Sequence, residues 1–309
     1  MVELLLIVPA DLCSAVLDRL RAEPGVAHLV HVPNAETVPD GQLLICHVAR
    51  EAANEVVEWL QGLGVHRRGA IVIEALEAVV SDAAAGAERH APGHGADALV
   101  WEELEARTRS EAMLTASFLV FMAVAAMIAA AGILLDSPII IVGAMVVGPE
   151  YGPLAALCVA AVRRRGETLR PAALTLGAGF AVAVAAAYVA TGTFRLTGIA
   201  PDGYDLGARQ LTAFISHPDG MAAVVAVLAG IVGMLSLTEA RSGALIGVLV
   251  SVTTIPAVGN IGAAAAYGEW SEVGGAALQL AVNVTGLVLA GTATLAIQAW
   301  VTAPPGRPA

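Results

Sequence analysis

The first 80 positions alternate apolar and polar residues over short stretches, and long apolar runs fill most of the rest. VELLLIV (2–8), HLVHV (28–32), QLLICHVA (42–49) and AIVIEAL (70–76) have the period and composition of strands. Pro9-Ala10-Asp11 opens a helix over about 11–22, and EAANEVVEWLQGLG (51–64) is an amphipathic helix closed by glycine. The order βαββαβ predicts a small α+β domain of the ferredoxin-like split βαβ type. SDAAAGAERHAPGHGADA (81–98) reads as a flexible Gly/Ala-rich linker, and LVWEELEARTRSEAML (99–114) as an amphipathic juxtamembrane segment.

Six apolar spans follow, near 112–135, 138–162, 171–193, 219–237, 242–266 and 274–300. Each approaches the roughly 20 residues that a helix needs to cross a bilayer. The expected organisation is a ferredoxin-like domain over 1–80, a linker and juxtamembrane helix over 81–110, an α-helical polytopic domain over 111–303, and a tail over 304–309. Ten arginines occur from Arg107 onward, and the spans put eight on one face: 107, 109, 163, 164, 165, 170, 241 and 307. Only Arg195 and Arg209 fall on the other. The positive-inside rule then places the N-terminal domain and C-terminus in the cytoplasm of a multi-pass cell-membrane protein, with the loop 194–218 outside.

Three spans precede that loop and three follow it. An odd repeat duplicated in tandem inserts upside down, so the count predicts a 3+3 inverted repeat. The middle span of each half is interrupted. GAMVVGPEYGP runs from Gly143 to Pro153, and GVLVSVTTIP runs from Gly247 to Pro256, followed by AVGN to Asn260. Proline removes a donor from the helix ladder, and the freed backbone is tolerable only against protein or a water-filled cavity. Interrupted spans at matching positions of two halves point to a transporter's midplane site. The candidate pathway residues are Gly148, Pro149, Glu150, Tyr151 and Pro153 on the second span. Ser251, Thr253, Thr254, Pro256 and Asn260 on the fifth join them, with Gln279, Asn283 and Thr285 on the sixth. Gln279 and Asn283, four apart, share a helix face. The polar side chains have two readings, coordination of a solute or hydrogen bonding between helices. Glu150 also has two: a group on an ion or proton path, or a carboxylate capping the broken helix.

Composition sharpens this division. The 309 residues are 57% hydrophobic and 14% charged, with a mean hydropathy of +0.75. Residues 1–110 hold 17 of the 27 acidic and 8 of the 16 basic residues, a local net charge of −9 that argues against nucleic acid as a partner. Every basic residue is arginine, which fits a GC-rich genome. Cys13, Cys46 and Cys158 show no paired spacing, so neither a disulfide framework nor a zinc site is expected. His31 and His47 fall on neighbouring strands and are a candidate close pair, whose plain reading is polar positions on strand faces. No Gly-rich phosphate loop, H-E-x-x-H or G-x-S-x-G occurs, so neither a cofactor nor an enzymatic activity is expected.

GAMVVGPEYGPLAAL, SLTEARSGALIGVLVSVTTIPAVGNIG and GGAALQLAVNVTGLVLAGTATL together resemble domain of unknown function family 389, over about 110–300. Its Gly-Ala-Met…Pro-x-x-Gly-Pro signature is matched by Gly143, Ala144, Met145, Pro149, Gly152 and Pro153. Glu150 stands where that family often has an apolar residue, and Ile255-Pro256 where a Pro-Pro pair is common. The resemblance implies the membrane topology and no particular substrate. The expected function is a transporter or channel-like protein for a small solute or ion, embedded in the bilayer as a homodimer or other homo-oligomer. The alternative is a non-transporting anchored scaffold whose N-terminal domain binds a ligand or partner.

Overall fold

A computed structural model describes residues 1–33, 35–76, 78–91, 100–201, 203–204, 211–217, 219–238 and 254–302. They form two compact units, built on Met1–Ala106 and on Arg107–Ile297. In the first, β1 (Val2–Val8), β2 (Val26–Val32), β3 (Gln42–Val48) and β4 (Ala70–Ala75) make one antiparallel sheet ordered β2-β3-β1-β4. α1 (Ala10–Ala22) joins β1 to β2, while α2 (Arg50–Gly62) and the short α3 (Val65–Arg68) join β3 to β4. This is the split βαβ connectivity that the pattern predicts. Period-two alternation places Val2, Leu4, Leu6 and Val8 on a fully buried face, where Val16, Leu17 and Leu20 of α1 and Val56, Val57 and Leu60 of α2 complete the core. The opposite face, with Leu5, Ile7, Leu43 and Ile45, is less covered, and its Val30, Val32 and Val72 are 48%, 37% and 49% exposed.

Two local expectations are corrected. Asp82–His90, read as linker, form a helix, α4. Ser81 supplies the reason: its Oγ accepts the N–H groups of Ala83 and Ala84 at 3.2 and 3.4 Å, and the alanines that follow are strong helix formers. Residues 92–98, with His94, lie outside the described residues. The histidine pair also changes. An irregularity between Ala27 and Val30 shifts the β2–β3 register, and His28 adopts a left-handed φ of 50°. His28 therefore meets His47, Nδ1 to Nδ1 at 3.0 Å, whereas His31 Nε2 lies 3.0 Å from Gln42 Oε1.

After α5 (Trp101–Glu111) come α6 (Ala116–Leu134), α7 (Pro138–Val147), α8 (Tyr151–Val162), α9 (Gly166–Leu196) and α10 (Gly220–Thr238). α11 (Thr254–Tyr267) and α12 (Trp270–Thr302) close the second unit. Among the described residues α6, α9, α10 and α12 are each long and apolar enough to cross a membrane; α7 and α8 add a fifth span if taken together across a 56° bend. Outward-facing apolar side chains such as Val120, Leu174, Val189 and Leu289, each at least 60% exposed, suit lipid. These helices are those of a membrane protein. The expected count of six differs because the first half of the fifth span, with Ser251 and Thr253, lies outside the described residues, as do Glu239 and Arg241 of the loop before it, Asp202, Asp205, Arg209 and the tail.

The packing of the second unit rests on small residues. A Cβ at Gly259 of α11 would stand 2.8 Å from Ala129 Cβ of α6, and one at Gly262 would stand 2.6 Å from both Ala187 Cβ and Val184 O of α9. Backbone thus meets backbone where α11 enters the bundle. Thr254 through Asn260 are all buried.

Candidate functional site

The interruption of the second span falls where glycine and proline put it. α7 ends at Val147; Gly148 takes extended angles (φ −66°, ψ 130°), and its N–H closes the last turn on Ala144 O at 3.2 Å. Pro149 has no N–H for the carbonyl of Met145, so the ladder stops there. α8 restarts at Tyr151, with Pro153 in its first turn, where the missing donor costs nothing.

Glu150 occupies the N-cap position of α8 and makes no side-chain cap bond. Its angles (φ −67°, ψ −18°) are already helical, whereas a capping side chain needs the extended conformation to reach the free N–H groups. The carboxylate turns instead to α11. Thr254 Oγ1 donates to Glu150 Oε1 at 2.6 Å, and both residues are buried, 0% and 3% exposed. Glu150 Oε2 has no hydrogen-bond partner among the described residues. It lies against Gly148, where an added Cβ would collide with it and come within 2.6 Å of Ile255 Cγ1. An ionised carboxylate so held loses on the order of several kcal/mol of hydration, which one hydroxyl donor replaces only in part.

The structure therefore brings the break of the second span against the start of α11, 104 positions on: Gly148 and Glu150 meet Thr254 and Ile255. Tyr151, Pro153 and Pro256 are buried beside them, and Pro149 is half-buried. Asn260, six positions further along α11, is buried and accepts a hydrogen bond from the hydroxyl of Tyr204. Sequence reasoning missed this end. The Tyr204 ring lies 5.3 Å from that of Tyr267, whose hydroxyl donates to Pro201 O at 2.6 Å. Arg195 stacks 4.3 Å from the Tyr267 ring centroid, donates to Ala266 O, and lines an open cavity of about 410 Å³ with Gly192, Leu196, Ala200 and Pro201. A single tyrosine in a polar loop carries no periodic signal that would have marked it. Gln279 Nε2 donates to Asn283 Oδ1 at 3.2 Å on the buried side of α12, as their spacing predicts, whereas Thr285 is exposed.

Residues 145–289 match the family described as Domain of unknown function (DUF389). Over that segment, just under half of the chain, the protein is similar to this family. Its matched segment starts inside α7, contains the break, and ends within α12, so the Gly148–Glu150 and Thr254–Asn260 constellation lies wholly inside it. No curated protein and no solved structure matches the chain.

Proposed function

We propose that the protein is a multi-pass transporter or channel-like protein for a small solute or ion, with its pathway passing between the two interrupted spans. The carrying observation is the meeting of Glu150 with Thr254 across 104 positions. Reciprocal packing supports an inverted repeat. α11, from the second half, seats Gly259 and Gly262 on α6 and α9 of the first. α8, from the first half, points Cys158 at the second: its thiol lies 3.6 Å from Val288 O of α12, and a Cβ at Gly291 would come within 3.0 Å of both Cys158 Sγ and Met234 Cγ of α10. α11 thus reaches outer spans of the first half and α8 reaches those of the second, which supports alternating access at a shared site. The arginine distribution orients the N-terminal domain and the C-terminus toward the cytoplasm.

Cysteine accessibility tests the pathway. In a background lacking Cys13, Cys46 and Cys158, Thr254→Cys and Tyr151→Cys in vesicles should react with a membrane-impermeant thiol reagent from one side. Val189→Cys, on a lipid-facing position, should not react. Protection of both break positions from both sides would remove the pathway.

A second reading, a membrane-anchored binding module, rests on the apolar sheet face around Val30, Val32 and Val72. A homo-oligomer is the expected occupant of such a face, because an exposed apolar patch marks an interaction site. Crosslinking of full-length protein through Val72→Cys would detect it.

A further inference from the structure

We propose that Glu150 is a proton-exchanging carboxyl, so that the solute pathway runs coupled to protons. The proposal rests on the transport reading and adds the identity of the coupled ion.

Three observations carry it. Glu150 is 3% exposed in the membrane unit, and its Oε2 lacks any hydrogen-bond partner among the described residues. Its neighbours offer no compensating charge. Thr254 and Ile255 of α11 and the Gly148 backbone meet the carboxyl, and no arginine, histidine or second carboxylate among the described residues acts on it. A carboxylate without a counter-charge at such depth marks an ion or proton path.

The choice between a proton and a metal cation follows from space. A hydrated alkali or alkaline-earth ion needs several oxygen ligands around it. Among the described residues, Gly148 brings only backbone to Glu150 Oε2, and Ile255, on the far side of the space an added Cβ would take, brings only hydrocarbon. A proton needs no such cage. With the Thr254 hydroxyl donating to Oε1, Oε2 is the oxygen left to carry the proton. The step is balanced: one proton from water forms the Oε2–H bond and neutralises the carboxylate. Its release to water on the other side restores the charge, and no other bond changes. The neutral form matches the closed, hydrophobic packing of the break; the charged form requires water to enter beside Gly148, which opens the pathway.

Difference infrared spectroscopy on the full chain in lipid bilayers, titrated between about pH 5 and 9, reads the carboxyl directly. The expected result is a protonated-carboxyl C=O band that disappears as pH rises, returns as pH falls, shifts in D₂O, and is absent from Glu150→Gln. Thr254→Val keeps the carboxyl and removes the donor, so the same band should persist at a shifted frequency; this variant decides the matter if Glu150→Gln does not assemble. A break open to aqueous thiol reagent with a Glu150 band that never titrates would overturn the proton assignment and leave the pathway standing. A break closed from both sides would overturn the pathway itself.

Discussion

Gly262→Ala probes the seat of α11 on α9. The new methyl carbon would lie 2.6 Å from Ala187 Cβ, 2.6 Å from Val184 O and 2.8 Å from Tyr188 N. Non-bonded carbons rest about 3.5–4.0 Å apart, so the two helices must separate locally by roughly 1 Å. Two of the three atoms met are backbone, which no rotamer change removes. Nor can α11 retreat, because on its other side a Cβ at Gly259 would already meet Ala129 Cβ at 2.8 Å and Ala126 O at 3.1 Å. Overpacking of this kind costs about 1–3 kcal/mol, against a gain of roughly 1 kcal/mol in helix propensity on replacing glycine by alanine.

The control lies on α9 itself: a Cβ at Gly177 meets nothing within 4 Å, so Gly177→Ala retains the propensity gain alone. Size-exclusion thermal melts in one detergent, at one heating rate, compare the two. Gly262→Ala should melt about 2–12 °C below Gly177→Ala, at about 2–4 °C per kcal/mol of overpacking for a unit the size of Arg107–Ile297. Gly177→Ala should leave the midpoint unchanged or raise it. Equal midpoints, or a lower one for Gly177→Ala, would refute the claim that backbone contact at Gly262 fixes α11.

Three further outcomes follow from the structure. Arg68 holds Asp11 through contacts of 2.9 and 2.6 Å, which lowers the Asp11 carboxyl below its ordinary value. Any stability it adds is present above the unfolded value and lost as pH falls through the folded one. Arg68→Ala should move the Asp11 carbon-13 titration upward, and an unchanged curve would contradict the pairing. Burial, then the charge of Glu3, pushes the Cys46 thiol up to about 12, so iodoacetamide at neutral pH should label it only after unfolding; labelling of native protein at the unfolded rate would contradict that burial. Asp136 accepts from Leu211 N at 3.3 Å and Thr212 Oγ1 at 2.9 Å while holding a left-handed φ of 46°. Asp136→Ala should cost about 1–3 kcal/mol and speed proteolysis in 211–217, with Asp136→Asn milder because asparagine tolerates that conformation.

The N-terminal sheet was legible because period-two alternation and chain order together leave few topologies. What escaped were features set by register and capping. The shift at Ala27–Val30 exchanged His31 for His28, and Ser81 turned an apparent linker into α4. The break at Gly148 and Pro149 was legible for a covalent reason: proline's missing N–H acts wherever the residue sits, without help from tertiary contacts. The partner of Glu150 was not legible, since no local rule connects positions 150 and 254.

That difference decides how Glu150 is understood. A carboxylate at a helix N-terminus reads locally as a cap, and had its backbone been extended the side chain would have faced the N–H groups of α8. Its helical angles turn the side chain outward, and the absent Cβ at Gly148 leaves the space that Oε2 fills. Gly148 therefore serves the carboxylate as much as the bend. Gly148→Ala would drive a methyl into Oε2 and Ile255 together, so the carboxyl could keep its bond to Thr254 only if α11 moved. Glycine at 148 and glutamate at 150 are in this sense one device, and the helix break is the form of backbone that lets both meet α11.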